Sequence, residues 1–481
     1  MLSLLLLLPL LGVMAVSLAP SRLARPLAGF AALVTLAFAC LLAVQFDAAE
    51  GGVQFFETHR WNPRLGSAFS LGIDGFSLPM VLLATLLVFV AALASSGIKS
   101  KRKGYYILLL LLETAMLGVF TARDWSLFYV FWELTLIPLF FLIDRYGGVN
   151  RSKAALNFVL YTMGGSAFML IALLVLYDLA AAHTFDMALL RDAGRTLPES
   201  TQVWLFLGLL IGFGVKMPVF PLHGWLPLAH VEAPSPVSIL LSGVLLKMGS
   251  YGLIRAASAL PEGVLALQPV LATLALVSLV YGGVLAWKQR DLKKMVAYSS
   301  VSHMGVVLLG IAALNTAGFT GAVMQMVAHG LVAGALFLLI GLLYERTHTR
   351  DIGDYSSLVR VMPRFAFFTV LAFVAAVGFP GTAGFIAELH ALVGGFARFG
   401  AWAALLSLGV LISAAYAMRT VGRLFTGPVH REMQSVPDLT RTEFAAASVL
   451  SAGILLIGVF PAPVLALMSA SVARLAKVFG A

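Results

Sequence analysis

Val203–Leu226 reads VWLFLGLLIGFGVKMPVFPLHGWL, an apolar run of membrane-crossing length with a lysine and two prolines in its second half. About 20 such residues, coiled as a helix, cross a ~30 Å hydrocarbon layer. Pro218 and Pro221 lack the N–H that a helix interior needs and crowd the turn before them, so the helix must unwind just after Lys216. Open backbone at that depth survives only beside protein or a water-filled cavity. This one run already predicts a polytopic helical membrane protein with a wet interior.

The rest of the chain agrees. Its 481 residues are 60% apolar and only 11% charged, against roughly 25% charged in a soluble domain, which excludes a water-soluble globule. The apolar runs are continuous rather than alternating, so a transmembrane barrel is excluded as well. Fourteen runs predict an all-α protein with about 14 transmembrane helices: 1–19, 27–46, 73–97, 104–121, 125–143, 154–177, 203–226, 236–259, 264–287, 295–312, 319–343, 364–393, 400–422 and 446–470. Run 1–19 lacks a basic segment ahead of it, with Arg22 and Arg25 following instead, so it reads as a retained span rather than a signal peptide.

Basic residues set the orientation. Loops on one side carry 21 Lys and Arg; the other side has nine, namely Arg60, Arg64, Arg123, Arg191, Arg195, Arg255, Arg398, Arg474 and Lys477. The positive-inside bias puts the first side in the cytoplasm and both termini outside. The net charge of +10 is thus a topology signal, and no nucleic-acid partner is expected. Arg outnumbers Lys 22 to 10, which suits a GC-rich bacterial genome and a bacterial inner membrane. The single cysteine, Cys40, excludes an iron–sulfur cluster held by about four thiolates.

Two of the 32 basic residues, Lys216 and Lys247, fall deep within spans, away from their ends, as do the acids Glu113, Glu133 and Glu388. Each costs about 2.5–3.5 kcal/mol at mid-membrane without a partner or water. Buried ion pairs rarely stabilise a fold more than apolar replacements would, which favours a functional reason for keeping them. A second run, 364–393, is broken by Gly378-Phe379-Pro380-Gly381. Paired broken helices in two halves mark inverted-repeat transporters. The spacing fits: Glu133 precedes Lys216 by 83 residues, and His303 precedes Glu388 by 85. The expected divisions are 1–100 for helices 1–3, 101–260 for a first five-helix repeat, 261–425 for a second, inverted one, and 426–481 for the last helix.

Several motifs then point to a family. Phe131-Trp132-Glu133-Leu134-Thr135-Leu136-Ile137-Pro138, Phe213-Gly214-Val215-Lys216-Met217-Pro218 with His223-Gly224-Trp225-Leu226-Pro227, and Leu245-Leu246-Lys247-Met248-Gly249 occur in that order. With Tyr298–Gly305, His329-Gly330 and Tyr344–Asp351, they resemble the antiporter-like subunits of respiratory complex I, an NADH-quinone oxidoreductase. Within that family, Glu388 stands where sister subunits carry lysine, and the chain stops soon after its last span. Both features are similar to the branch called subunit M in bacteria and chain 4 in mitochondria.

The resemblance implies a proton channel made of two half-channels. In it, Glu133 and Lys216 form a gate, each stabilising the other's charge while they are close. When they part, the desolvated ammonium gives up its proton, which lysine can do and arginine cannot. Lys247 would receive the proton at the centre and Glu388 release it outward, with His303 and His329 as supporting relays. Glu113 is a supporting carboxylate, His223 a partner for freed carbonyls, and Asp124 an interfacial anchor. The resemblance leaves no cofactor in this chain and places NADH, FMN, iron–sulfur clusters and quinone in partner membrane-arm subunits. Three alternatives stay open: a cation/proton antiporter subunit, a membrane subunit of a hydrogenase or ferredoxin-driven relative, and a structural spacer.

Overall fold

The computed structural model describes residues 1–430 and 433–480, which leaves Arg431, counted with the basic side, outside the description. Two apolar helices, α1 (Leu2–Leu18) and α2 (Ala24–Gln45), lead into an antiparallel hairpin, β1 (Gln54–Asn62) and β2 (Ser67–Ile73). After it come α3 (Ser77–Ala94), α4 (Arg102–Thr121), α5 (Trp125–Leu134), α6 (Leu136–Tyr146), α7 (Arg151–Leu179), the short α8 (Met187–Gly194) and α9 (Glu199–Lys216). Then follow α10 (Leu226–Glu232), α11 (Ser235–Leu240), α12 (Leu246–Ala259), α13 (Pro261–Ala266), α14 (Gln268–Lys288), α15 (Leu292–Ala312) and α16 (Thr316–Thr347). The chain closes with α17 (Leu358–Val361), α18 (Pro363–Ala376), α19 (Ala383–Phe399), α20 (Ser407–Phe425), α21 (Arg441–Val459) and α22 (Ala462–Ala476).

Among the described residues, twelve segments are long and apolar enough to cross a membrane, and α1 and α18 are apolar but shorter. This is a multi-pass helical protein. The predicted span 125–143 is one membrane-long segment, Trp125–Tyr146, with a one-residue irregularity at Thr135, where Pro138 leaves the Leu134 carbonyl without its N–H but the backbone stays helical. Two sequence expectations need correction. The predicted span 446–470 is two helices, α21 and α22, parted at Phe460-Pro461. Together they run from Glu443, paired with Arg346 near the end of α16, to Ser471, whose hydroxyl accepts from the Gly75 N–H at the opposite rim. The hairpin was not foreseen. Asp124 anchors it, accepting from the Ala68 N–H at 2.9 Å while capping α5 through the Ser126 and Leu127 N–H groups. Asp124 is therefore a buried cap rather than an interfacial anchor.

The centre of the bundle is built from small residues. The Ser235–Ala259 segment and α16 are wholly enclosed by other helices, and α15 almost so. A Cβ on Gly321 would overlap the Ala391 backbone, so α16 and α19 cross at glycine. A Cβ on Gly249 would lie 2.5 Å from the Phe213 carbonyl oxygen and 2.7 Å from the Met217 nitrogen. The helix bearing Lys247 thus lies backbone to backbone against the end of α9, where Lys216 sits. Lipid does not drive helices together hydrophobically, so close approach of this kind supplies the packing energy.

At the rim beside α3, one carboxylate holds two guanidinium groups. Asp74 receives Arg255 at 2.7 Å and Arg123 at 3.4 Å, with Ser77 beside them. Although burial opposes its charge, the two arginines and the Ser77 N–H hold the Asp74 carboxyl far below the usual carboxylate range. A depressed folded-state value means this stabilisation is complete above about pH 4 and is lost only as pH falls through the lowered value. We expect Asp74→Asn, which strands both guanidiniums, to destabilise the chain by about 3–5 kcal/mol, read as a lower unfolding temperature in detergent. The loss should be constant from pH 5 to 8; an unchanged melting temperature would contradict it.

Candidate functional site

The Ser235–Ala259 segment is not one regular helix. A π-helical turn, Leu241–Leu245, interrupts it just before Lys247. Such bulges tend to occur at functional positions. Here the bulge leaves the Ser242 carbonyl free to accept the Lys247 Nζ at 2.5 Å. The same Nζ lies 2.6 Å from His329 Nδ1 on α16, and Lys247 is completely buried. The pair can pass a proton either way, because a neutral amine accepts what the imidazole Nδ1–H donates and an ammonium donates to a bare Nδ1.

From His329 the line continues. Its ring centroid is 5.4 Å from that of His303 on α15, and His303 Nδ1 lies 3.7 Å from Glu388 Oε1 on α19. Gln325 comes within 3.4 Å of the same Nδ1. Four ionisable groups from four different helices therefore stand in series: Lys247, His329, His303, Glu388. Three lie on the most enclosed helices, where hydrocarbon does not reach them. Beside His303 and Glu388 a cavity of about 20 Å³, edged by Ser302 and Ser413, has room for about one water.

Glu388 also borders the second break. α18 stops at Ala376 and α19 starts at Ala383, so Pro380 and Gly381 lie in non-helical chain. Gly378 has φ +73°, and a Cβ there would strike the Glu388 carboxylate. Glycine at 378 thus serves both the unwound backbone and the seat of the carboxylate.

The first break likewise follows Lys216, and Pro218 and Pro221 lie in the chain between α9 and α10. Lys216 is buried; its Nζ donates to Thr135 Oγ1 at 3.0 Å and sits 4.8 Å from the centre of the Trp132 ring. It does not form an ion pair within 4.0 Å of Glu133, whose Oε1 is buried without a partner. The Lys216 amine thus sits at the one-residue irregularity between α5 and α6, two residues along from the carboxylate. Glu113 is fully buried with both oxygens unpartnered. His223 departs from expectation: its ring packs against Phe220 and Tyr281 and its Nδ1 has no partner. The carbonyl freed at the end of α9, that of Val215, is taken instead by Trp225 Nε1–H at 2.8 Å.

Two buried groups escaped the sequence reading. Lys293, counted with the basic loops, is 3% exposed and donates to the Ala233 carbonyl. His230, on α10, is fully buried with both ring nitrogens unpartnered and its ring stacked on Phe337 at 4.5 Å. A helical-wheel placement of Lys293 and Lys294 would have been the only available signal, since they are neighbours pointing about 100° apart.

Comparison with known proteins fits this geometry. A family described as NADH:quinone oxidoreductase/Mrp antiporter, transmembrane, matches residues 122–413, which contain every group in the line above. The chain is 41% identical over 471 residues to NADH-quinone oxidoreductase subunit M of Rhodobacter capsulatus, covering 95% of this chain and 91% of that one. It is also 41% identical over 474 residues to NAD(P)H-quinone oxidoreductase chain 4 of Synechococcus elongatus, covering 95% and 87%. A chain of respiratory complex I from Thermus thermophilus superposes with a TM-score of 0.93 at 35% identity over the full length of both chains.

Proposed function

Because the chain belongs to the subunit M (chain 4) family of NADH-quinone oxidoreductases, we propose that it is a proton-translocating membrane-arm subunit of such a complex. It carries no redox step of its own. Electron transfer from NADH through FMN and iron–sulfur clusters to quinone belongs to partner subunits and supplies the work, about 2.3 kcal/mol per charge per 100 mV. The observation that carries this reading is the series Lys247, His329, His303, Glu388 across four helices, with 2.6 and 3.7 Å at its two ends.

In this reading the proton enters at Lys216 and reaches Lys247 across the tight crossing of α9 on the Lys247 helix. It then moves through His329 and His303 and leaves from Glu388. Glu133 sets when Lys216 holds its proton. The parked position on Thr135 and Trp132 is the separated state of that gate, in which a hydroxyl and a ring face replace the carboxylate as partners for the ammonium. The two breaks, after Lys216 and before Glu388, belong to two inverted repeats, 101–260 and 261–425, and both termini lie on the outer side of a bacterial inner membrane.

The test is the assembled complex, purified in mild detergent and reconstituted in vesicles. NADH-oxidising subunits should co-purify, and NADH with quinone should acidify the vesicle lumen. Glu133→Ala and Lys216→Ala should each depress that acidification about a hundred-fold, the span expected for loss of a positioned acid or base. Undiminished pumping in both variants would reduce the chain to a spacer. Sodium-dependent proton exchange without any NADH or quinone chemistry would make it a cation antiporter instead.

A further inference from the structure

The less basic rim holds an arginine pocket that the proton path does not use. Of the nine basic residues on that side, five line a single cavity of about 420 Å³: Arg123, Arg191, Arg195, Arg255 and Arg474. Topology signalling does not explain this, because the positive-inside bias depletes basic residues on that side rather than gathering them. The volume is within the range of about 300–1,000 Å³ usual for small-ligand sites.

The charges within the pocket do not balance. Asp74 is shared by Arg123 and Arg255. Asp186 also faces the cavity, but its carboxylate is engaged in capping α8 through the Ala188 and Leu189 N–H groups. Arg191 pairs only with the exposed Asp192, and Arg195 uses its Nε on the Ser258 carbonyl. Arg474 makes no side-chain hydrogen bond among the described residues, and the Arg255 Nε is buried unpaired. Crowding follows: burial, with Arg191 and Arg474 close by, holds the Arg195 guanidinium below its ordinary value. Three guanidiniums in one place favour a bidentate oxyanion, and phosphate fits that fork best.

Much of the remaining wall is apolar, including Val53, Phe56, Phe76, Trp125, Ile254 and Leu475. Trp61 on the hairpin is 54% exposed and Trp204 near the start of α9 is 75% exposed, as in the aromatic belts that mark the headgroup level. An anion cage with greasy walls at that level suits an amphiphile better than a free ion. We propose that this pocket binds the phosphate of an anionic phospholipid, with the guanidiniums of Arg191, Arg195 and Arg474 on the headgroup and the apolar wall along the start of the acyl chain.

The test uses the complex in which the chain assembles, partly stripped of lipid and examined by native mass spectrometry. Phosphatidylglycerol, phosphatidylcholine or inorganic phosphate is then added back. The wild type should retain phosphatidylglycerol in preference to phosphatidylcholine, and inorganic phosphate should not displace it. Arg474→Gln and Arg195→Gln should each weaken retention about ten-fold, the loss of one charge-assisted bond. Lys477→Gln, on the same rim but outside the pocket, should retain it as the wild type does. If Arg195→Gln fails to assemble, Arg474→Gln decides, since the Arg474 side chain makes no hydrogen bond or ion pair among the described residues. Equal retention by Arg474→Gln and wild type would overturn the proposal, as would displacement by inorganic phosphate or crosslinking of the Arg474→Cys variant to an acidic segment of a neighbouring subunit.

Discussion

Replacing Lys247 by methionine should abolish proton delivery through this chain while leaving the complex assembled. The two side chains have similar length and bulk, so the enclosed site stays filled; what disappears is the amine shared between the Ser242 carbonyl and His329 Nδ1. Leaving those two groups unpaired costs about 1–3 kcal/mol each, which should show as a modest drop in complex stability on a native gel. The functional effect should be far larger. Without a group that both accepts and donates a proton at the head of the line, NADH-driven acidification of vesicles should fall about a hundred-fold. Lys247→Arg separates titration from charge: arginine keeps the cation and the hydrogen bonds but does not release its proton, so it should fail as methionine does. Pumping at wild-type rate in the arginine variant would show that Lys247 acts only as a fixed charge.

What could be read from the chain, and what could not, follows from how each signal is encoded. Lys216, Lys247 and Glu388 stood out because a single residue of the wrong polarity inside an apolar run is a local anomaly with a known cost. Pro218 and Pro380 likewise announce broken helices from their own chemistry. The order of the line was not legible in this way. His329 meets Lys247 across 82 residues of sequence, and nothing local says that a histidine on one buried helix faces a lysine on another. Membership of a family supplied those two histidines as candidates; the packing of α15 against α16 supplied their order.

Groups whose role lies in tertiary partners were lost. Asp74 sits at the edge of a predicted span and nothing in the sequence singles it out, yet its partners are 49 and 181 residues away. Lys293 and Lys294 read as one basic loop, although one is buried and the other exposed, because the helix begins at Leu292 and turns them to different faces. The hairpin was missed because its outer strand is mostly exposed, so no apolar period marked it within a polar connection. Pro138 stands in the quoted motif, but only the packing shows that the irregularity it leaves at Thr135 is where the Lys216 amine sits.

Glu388 offers the sharpest test of the far end. Glu388→Gln keeps the size of the side chain and one carbonyl oxygen toward His303, so neither the cavity beside Ser302 nor the glycine seat at Gly378 should change. It removes titration alone. Pumping should therefore fall about a hundred-fold in the glutamine variant, with assembly at the wild-type level. Glu388→Lys restores a titratable group of opposite sign at the same place. If the requirement is for a site that takes up and releases a proton, the lysine variant should recover part of the glutamine loss, measured by vesicle acidification. If the requirement is instead for a fixed negative charge opposite His303, lysine should be worse than glutamine, because it sets two cationic groups beside each other. The ranking of these two variants separates proton carriage from electrostatic support, and wild-type pumping in Glu388→Gln would remove the carboxylate from the path altogether.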